Sequence, residues 1–173
     1  MSRRKGPSLV IWGISILFVA FIVASFNTMG VEKQVHAPES LENIPLLKQS
    51  SGEEVTGKIQ QIAGRKVDIL RGVKGVYEGN DQKATLQLLV VKNHKVATKL
   101  VDNLAAGMEM SGKFNKAQFL DGLGNRGFYT FGDNAEQYVF TKENLVYWLS
   151  VEKGNSQELV EWVYQHEFRK GNY

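Results

Sequence analysis

Residues 9–26 read LVIWGISILFVAFIVASF, 18 in a row without a charge, proline or amide. As a helix this run is about 27 Å long, the thickness of a bilayer core, so it is expected to be a transmembrane anchor. Arg3, Arg4 and Lys5 flank it on the amino side, whereas Asn27, Thr28, Glu32 and Lys33 follow it. That asymmetry predicts a single-pass signal-anchor at the cell membrane, with a cytoplasmic N-terminus and an extracytoplasmic, periplasmic-side C-terminal domain. The rival is a cleaved secretory signal, which has the same basic and apolar opening. Val23 and Ser25 are a poor match to the small residues a cleavage site needs, and Lys5-Gly6-Pro7 replaces the apolar residues that follow a twin-arginine pair. Gly13, Ala20 and Ala24 fall within about 40° of one helix face, a seam where a second helix can approach closely.

The chain has no cysteine. Disulfides, thiolate zinc sites, iron–sulfur ligation and cysteine nucleophiles are therefore excluded. Arg3, Arg4 and Lys5 carry the whole net charge of +3, and the remainder holds 18 Lys+Arg against 18 Asp+Glu. A nucleic-acid partner calls for a basic surplus in the folded part, so none is expected. The length of 173 residues accommodates the basic tail (1–8), the anchor (9–26), a linker (27–50) and one domain (51–173).

Residues 27–50 contain Pro38 and Pro45 and no sustained period, and read as a tether. The Ile44-Pro45-Leu46-Leu47 cluster is the exception, able to dock on the domain as an extended strap. Capping-box spacing at Ser51 to Glu54, with Val55, Ile59 and Ile62 behind it, predicts a short helix ending at Gly64. Strands are expected over 67–77 and 84–91, joined by the hairpin residues Glu78-Gly79-Asn80-Asp81, with a bulge or bend at Gly72 and Gly75. Asn93 caps a second helix with a continuous apolar stripe from Val96 to Met108. Four short strands follow, at 114–120, 127–131, 135–140 and 145–151. A last helix opens at Asn155.

This order predicts an α+β domain, an antiparallel sheet of about six strands covered by helices in an α/β/α sandwich-like arrangement. Strand 145–151 is apolar at odd and even positions alike and belongs at the centre, covered on both faces. Over roughly residues 51–170 the element order resembles the antiparallel α/β/α sandwiches of the PsbP type. The resemblance implies a fold and carries no function.

No site motif survives inspection of its context. Gly122-Leu-Gly124-Asn-Arg-Gly127 fits G-x-G-x-x-G, but it leads into a strand, where a dinucleotide site requires a helix N-terminus, so a hairpin is expected. His36, His94 and His166 are too dispersed for a metal site, and there is no H-E-x-x-H or G-x-S-x-G. Asp121, Asp133, Glu136 and Glu143 are ordinary turn residues. No catalytic, cofactor-binding or metal-ligating residue is expected. The least ordinary feature is an aromatic cluster in the last third of the chain. Most of it belongs in the core, while Tyr129, Tyr138 and Tyr147 are the candidates for a shared contact surface.

The leading functional expectation is a non-catalytic accessory or assembly subunit of a membrane protein complex, integral to the membrane and contacting other membrane or envelope subunits. The alternative is a tethered extracytoplasmic domain that binds a small apolar or amphipathic ligand between sheet and helix. A sizeable closed pocket lined by the aromatics favours the second, and a solidly packed interface eliminates it. A hydrolase with an unrecognised site, using His94 or His166 as base, comes third.

Overall fold

The computed structural model describes residues 35–64 and 67–166. In chain order the elements are β1 (Ser40–Leu41), β2 (Ile44–Ser51), α1 (Glu53–Ile62), β3 (Ile69–Gly79), β4 (Gln82–Val91), α2 (His94–Met110), β5 (Gln118–Phe119), β6 (Gly127–Gly132), β7 (Ala135–Lys142), β8 (Leu145–Lys153) and α3 (Ser156–Gln165).

Local chemistry accounts for most element boundaries. The Asn93 side chain accepts from the Val96 amide at 3.0 Å and starts α2, and Asn155 does the same for Glu158 at the head of α3. In α2, Ala97, Leu100, Val101, Leu104 and Met108 recur at helical spacing and are buried. Each buried leucine contributes about 2 kcal/mol. The β3–β4 and β6–β7 hairpins turn through Asn80-Asp81 and Asp133-Asn134, all four at positive φ, the conformation of a tight two-residue hairpin and one that Asn and Asp tolerate.

The start of α1 differs from its expected capping box. Ser51 is the last residue of β2, paired with Val73, so the helix opens at Gly52 (φ 75°) without a side-chain cap. The expected strand 114–120 is interrupted: Phe114 bridges Gly132 and Gln118–Phe119 pairs with β6, while between them the Ala117 amide donates to the Glu109 carboxylate.

The strands pair antiparallel throughout, in the order β1-β2-β3-β4-β8-β7-β6-β5. Eight strands replace the expected six or so, because residues 40–51 join the sheet edge: Leu46 and Lys48 to Ser51 pair with β3. The tether read over 27–50 therefore includes sheet residues, and the strap expected at Ile44-Pro45-Leu46-Leu47 is the start of β2. The register of β3 shifts between Ile69 and Arg71, while Gly72 and Gly75 stay paired with Leu89 and Leu86.

The anchor-plus-sheet expectation is corrected to an eight-stranded antiparallel sheet with three helices. Among the described residues no helix is long and apolar enough to cross a membrane. The longest, α2, carries Lys95, Lys99, Asp102 and Glu109 opposite its buried stripe, the pattern of a helix that covers a sheet. The run at 9–26, with Gly13, Ala20 and Ala24, lies outside the described residues. The single-pass, N-in membrane localisation that depended on it is set aside.

Side-chain alternation divides the core in two. On one sheet face Leu89, Val91, Phe128, Val139, Val146 and Trp148 pack under α1 and α2. On the other, Tyr77, Leu86, Leu88, Phe140, Tyr147 and Leu149 pack with Leu159 and Val163 of α3 and with Leu41 and Ile44.

Candidate functional site: a cleft beside the C-terminal ends of two helices

The face beneath α1 and α2 changes character along its strands. On β4, Leu89 and Val91 lie in the core, whereas Thr85 and Gln87 on the same face line an open cleft. On β8, Val146 and Trp148 give way to Ser150 and Glu152. Register aligns these changes. Lys74, Gln87 and Trp148 stand side by side across β3, β4 and β8, and Thr85, Ser150 and Gln137 form the next row across β4, β8 and β7. The result is a cleft of about 820 Å³ with a polar sheet floor.

Its apolar wall comes from Ile62 at the end of α1, Met110 at the end of α2, Phe114 beyond it, and Trp148 from the floor. Met110 is 78% exposed, a large apolar side chain held beside the opening. The two helix ends meet closely at Gly107, where a Cβ would overlap the backbone carbonyl of Ile62, so only glycine permits this approach. Trp148 is held in place through its indole: Nε1 donates to Gln137 Oε1 at 2.8 Å, and Gln137 Nε2 donates to the Gly132 carbonyl at 3.2 Å. Both side chains are buried, so the hydrogen bonds satisfy groups that are costly to leave unpaired.

Charge enters the cleft from several elements. Lys58 projects from α1, Lys74 from β3 and Lys113 from the segment after α2, and Asp133 and Glu152 lie among the lining. Glu152 accepts from Lys83 at 2.6 Å. That contact, with the carboxylate charge behind it, raises the Lys83 ammonium above its ordinary value.

The three expected contact tyrosines do occupy one sheet face, opposite the cleft. Tyr129 and Tyr138 are direct cross-strand partners with ring centroids 5.1 Å apart, and both are half-buried. Tyr147 is 1% exposed, stacked on Phe140 at 4.9 Å, and belongs to the core. The Tyr138 hydroxyl donates to Glu136 at 2.9 Å and lies 3.3 Å from Ser156 Oγ, while Ser156 donates to Glu136 at 2.5 Å. This cluster ties the first turn of α3 to β7. Burial is the main cause that pushes the Tyr138 hydroxyl up, with the Ser156 hydrogen bond opposing it and Glu136 adding to it.

The remaining sequence candidates fall elsewhere. The glycine loop at 122–127 leads into β6 and is fastened to β7: Asn125 donates to the Thr141 carbonyl at 3.0 Å, and Thr141 donates to Arg126 at 2.9 Å. Gly124 (φ 66°) passes so close to Thr141 that a Cβ would overlap its carbonyl. Asp121 and Glu143 sit at strand turns, and His94 opens α2. His166 stacks on Trp162 with centroids 3.7 Å apart. No group of three His, Asp or Glu able to hold a metal occurs among the described residues.

Sequence reasoning missed the cleft residues Lys74, Thr85, Gln87, Gln137 and Ser150. The available signal was the switch from apolar to polar at alternate positions within β4 and β8. It becomes a site only once those two strands are known to be neighbours. No protein-family model and no curated protein matches the chain.

Proposed function

We propose that this domain is a non-catalytic binding module whose cleft receives a small amphipathic ligand. The observation that carries the reading is the cleft itself. Its volume lies in the range of ligand sites, and it combines an apolar wall with amide and hydroxyl groups on rigid strands and ammonium groups from three elements. The hydrogen-bonded Trp148–Gln137 pair fixes the floor beneath the cleft, and a preorganised floor lowers the ordering cost of binding.

A titration with an environment-sensitive amphipathic dye tests this reading. The parent protein is expected to bind the dye saturably, and Gln87→Trp, which fills the floor, to weaken binding by about tenfold or more, equivalent to roughly 1.4 kcal/mol. Equal binding by the filled variant would sink the proposal.

The accessory-subunit reading keeps one supporting observation. Tyr129, Tyr138 and the 45% exposed Phe131 lie together on β6 and β7, on the α3 face of the sheet. Such half-exposed aromatics suit a protein contact. Pull-down with Tyr129→Ala and Phe131→Ser as the control tests it, and an unchanged partner profile counts against it.

A further inference from the structure

The cleft has a charge imbalance that the sequence as a whole conceals. Beyond Arg3, Arg4 and Lys5 the chain balances 18 cations with 18 anions. Yet Lys58, Lys74 and Lys113 converge on one cleft from three separate elements, against Asp133 and Glu152. Glu152 is already neutralised by Lys83 at 2.6 Å. Among the described residues none of the three cleft lysines forms an ion pair.

The helix ends change the sum. The C-terminal ends of α1 and α2 both border the cleft and bring about half a negative charge each. Three ammonium groups, less Asp133 and less about one charge from the two helix ends, leave an excess of roughly one positive charge. A concave site with low-dielectric walls concentrates the field of that excess. Beside it stands the apolar wall, to which Met110 and Trp148 contribute.

Building on the binding-module reading, we infer that the ligand is an acidic amphiphile, an alkyl or aromatic carboxylate. Its head pairs with the cleft's ammonium groups, of which Lys74 rises from the sheet floor, and its apolar body rests against the wall formed by Met110 and Phe114. An uncharged head would leave the ammonium groups unused. No bond is made or broken: the site selects by charge and by apolar contact.

Calorimetric titration of the full chain with decanoate and with decanol, at low and high salt, tests the inference. Decanoate is expected to bind about tenfold tighter than decanol at low salt, with the preference shrinking as salt screens the ammonium groups. In the triple variant Lys58→Gln, Lys74→Gln, Lys113→Gln that preference should disappear. Lys58 and Lys113 are exposed and Lys74 is half-buried, so the fold does not depend on their charge, and circular dichroism verifies it. Equal affinity for the two probes, or a decanoate preference that survives in the triple variant, overturns the acidic-head assignment while the binding module stands. Failure of both probes to bind overturns the assignment, and dye binding by the parent then shows whether the binding module falls with it.

Discussion

Replacing Gly107 with alanine tests the helix crossing that shapes the cleft, and the local and tertiary arguments give opposite signs. Within a helix, glycine to alanine stabilises by about 1 kcal/mol, because alanine loses less backbone freedom on folding. At Gly107, however, the new Cβ would overlap the Ile62 carbonyl, and the Ala63 Cα lies 3.5 Å from it. A backbone carbonyl cannot rotate away as a side chain can, so α1 and α2 must separate by on the order of an ångström. A gap of that size forfeits roughly a quarter to a half of the dispersion energy of each contact it opens. The contacts at risk belong to the core containing Ile59, Leu100, Leu104 and Met108, all fully buried. Overpacking costs about 1–3 kcal/mol, and a backbone obstacle belongs in the upper half of that range. Subtracting the helical gain leaves a net loss of about 1–2 kcal/mol, or a fall in Tm of about 3–8 °C for a domain of this size. Gly57 provides the control. It lies in α1 with nothing within 4 Å of a built Cβ, so Gly57→Ala should stabilise by up to about 1 kcal/mol. Urea unfolding followed by circular dichroism measures both. A Gly107→Ala protein as stable as the parent, or both variants shifting in the same direction, refutes the packing argument.

Three further outcomes follow from named contacts. Gln137→Leu leaves the buried Trp148 Nε1 and the Gly132 carbonyl without their partner and should cost about 1–3 kcal/mol in urea unfolding; a neutral effect would mean that the pair does not hold the cleft floor. Tyr147→Ala should cost about 3–5 kcal/mol, because it empties a core site against Phe140, whereas half-buried Tyr129→Ala should cost about 1 kcal/mol or less; similar losses at the two positions would contradict their assignment to core and surface. Desolvation, then the adjacent Glu158 carboxylate and its hydrogen bond, raise Glu42 above its ordinary value. The folded state therefore holds this proton more tightly than the unfolded chain, and the associated stability, present at low pH, is lost as pH rises through the raised value. Relative to Glu42→Gln, the parent should lose stability from the carboxylate range towards neutrality, and a pH-independent difference between the two proteins would remove this pair from the account.

The legible parts of the fold are those decided within a few residues. Asn93 and Asn155 mark helix starts because their side chains reach amides three residues ahead. Asn80-Asp81 marks a hairpin because these residues tolerate positive φ. Burial was harder to read. Tyr129, Tyr138 and Tyr147 carry the same residue type on the same sheet face, yet only Tyr147 is covered, because it lies on a central strand beside Phe140. Likewise residues 44–50 look like a tether by composition and join a strand by pairing with β3.

From sequence alone come the exclusion of cysteine chemistry, the balance of charge beyond residue 5, the stripe of α2 and the hairpin turns. The tertiary structure decided that β4 lies against β8, some 60 residues later in the chain, and thereby placed Thr85 beside Ser150 and Gln87 beside Trp148. It also brought Lys58, Lys74 and Lys113 to one opening. The physical reason is range: caps, turns and helical periodicity act over one or two turns of chain, whereas a cleft is made by pairings and close approaches between segments whose separation no local preference encodes.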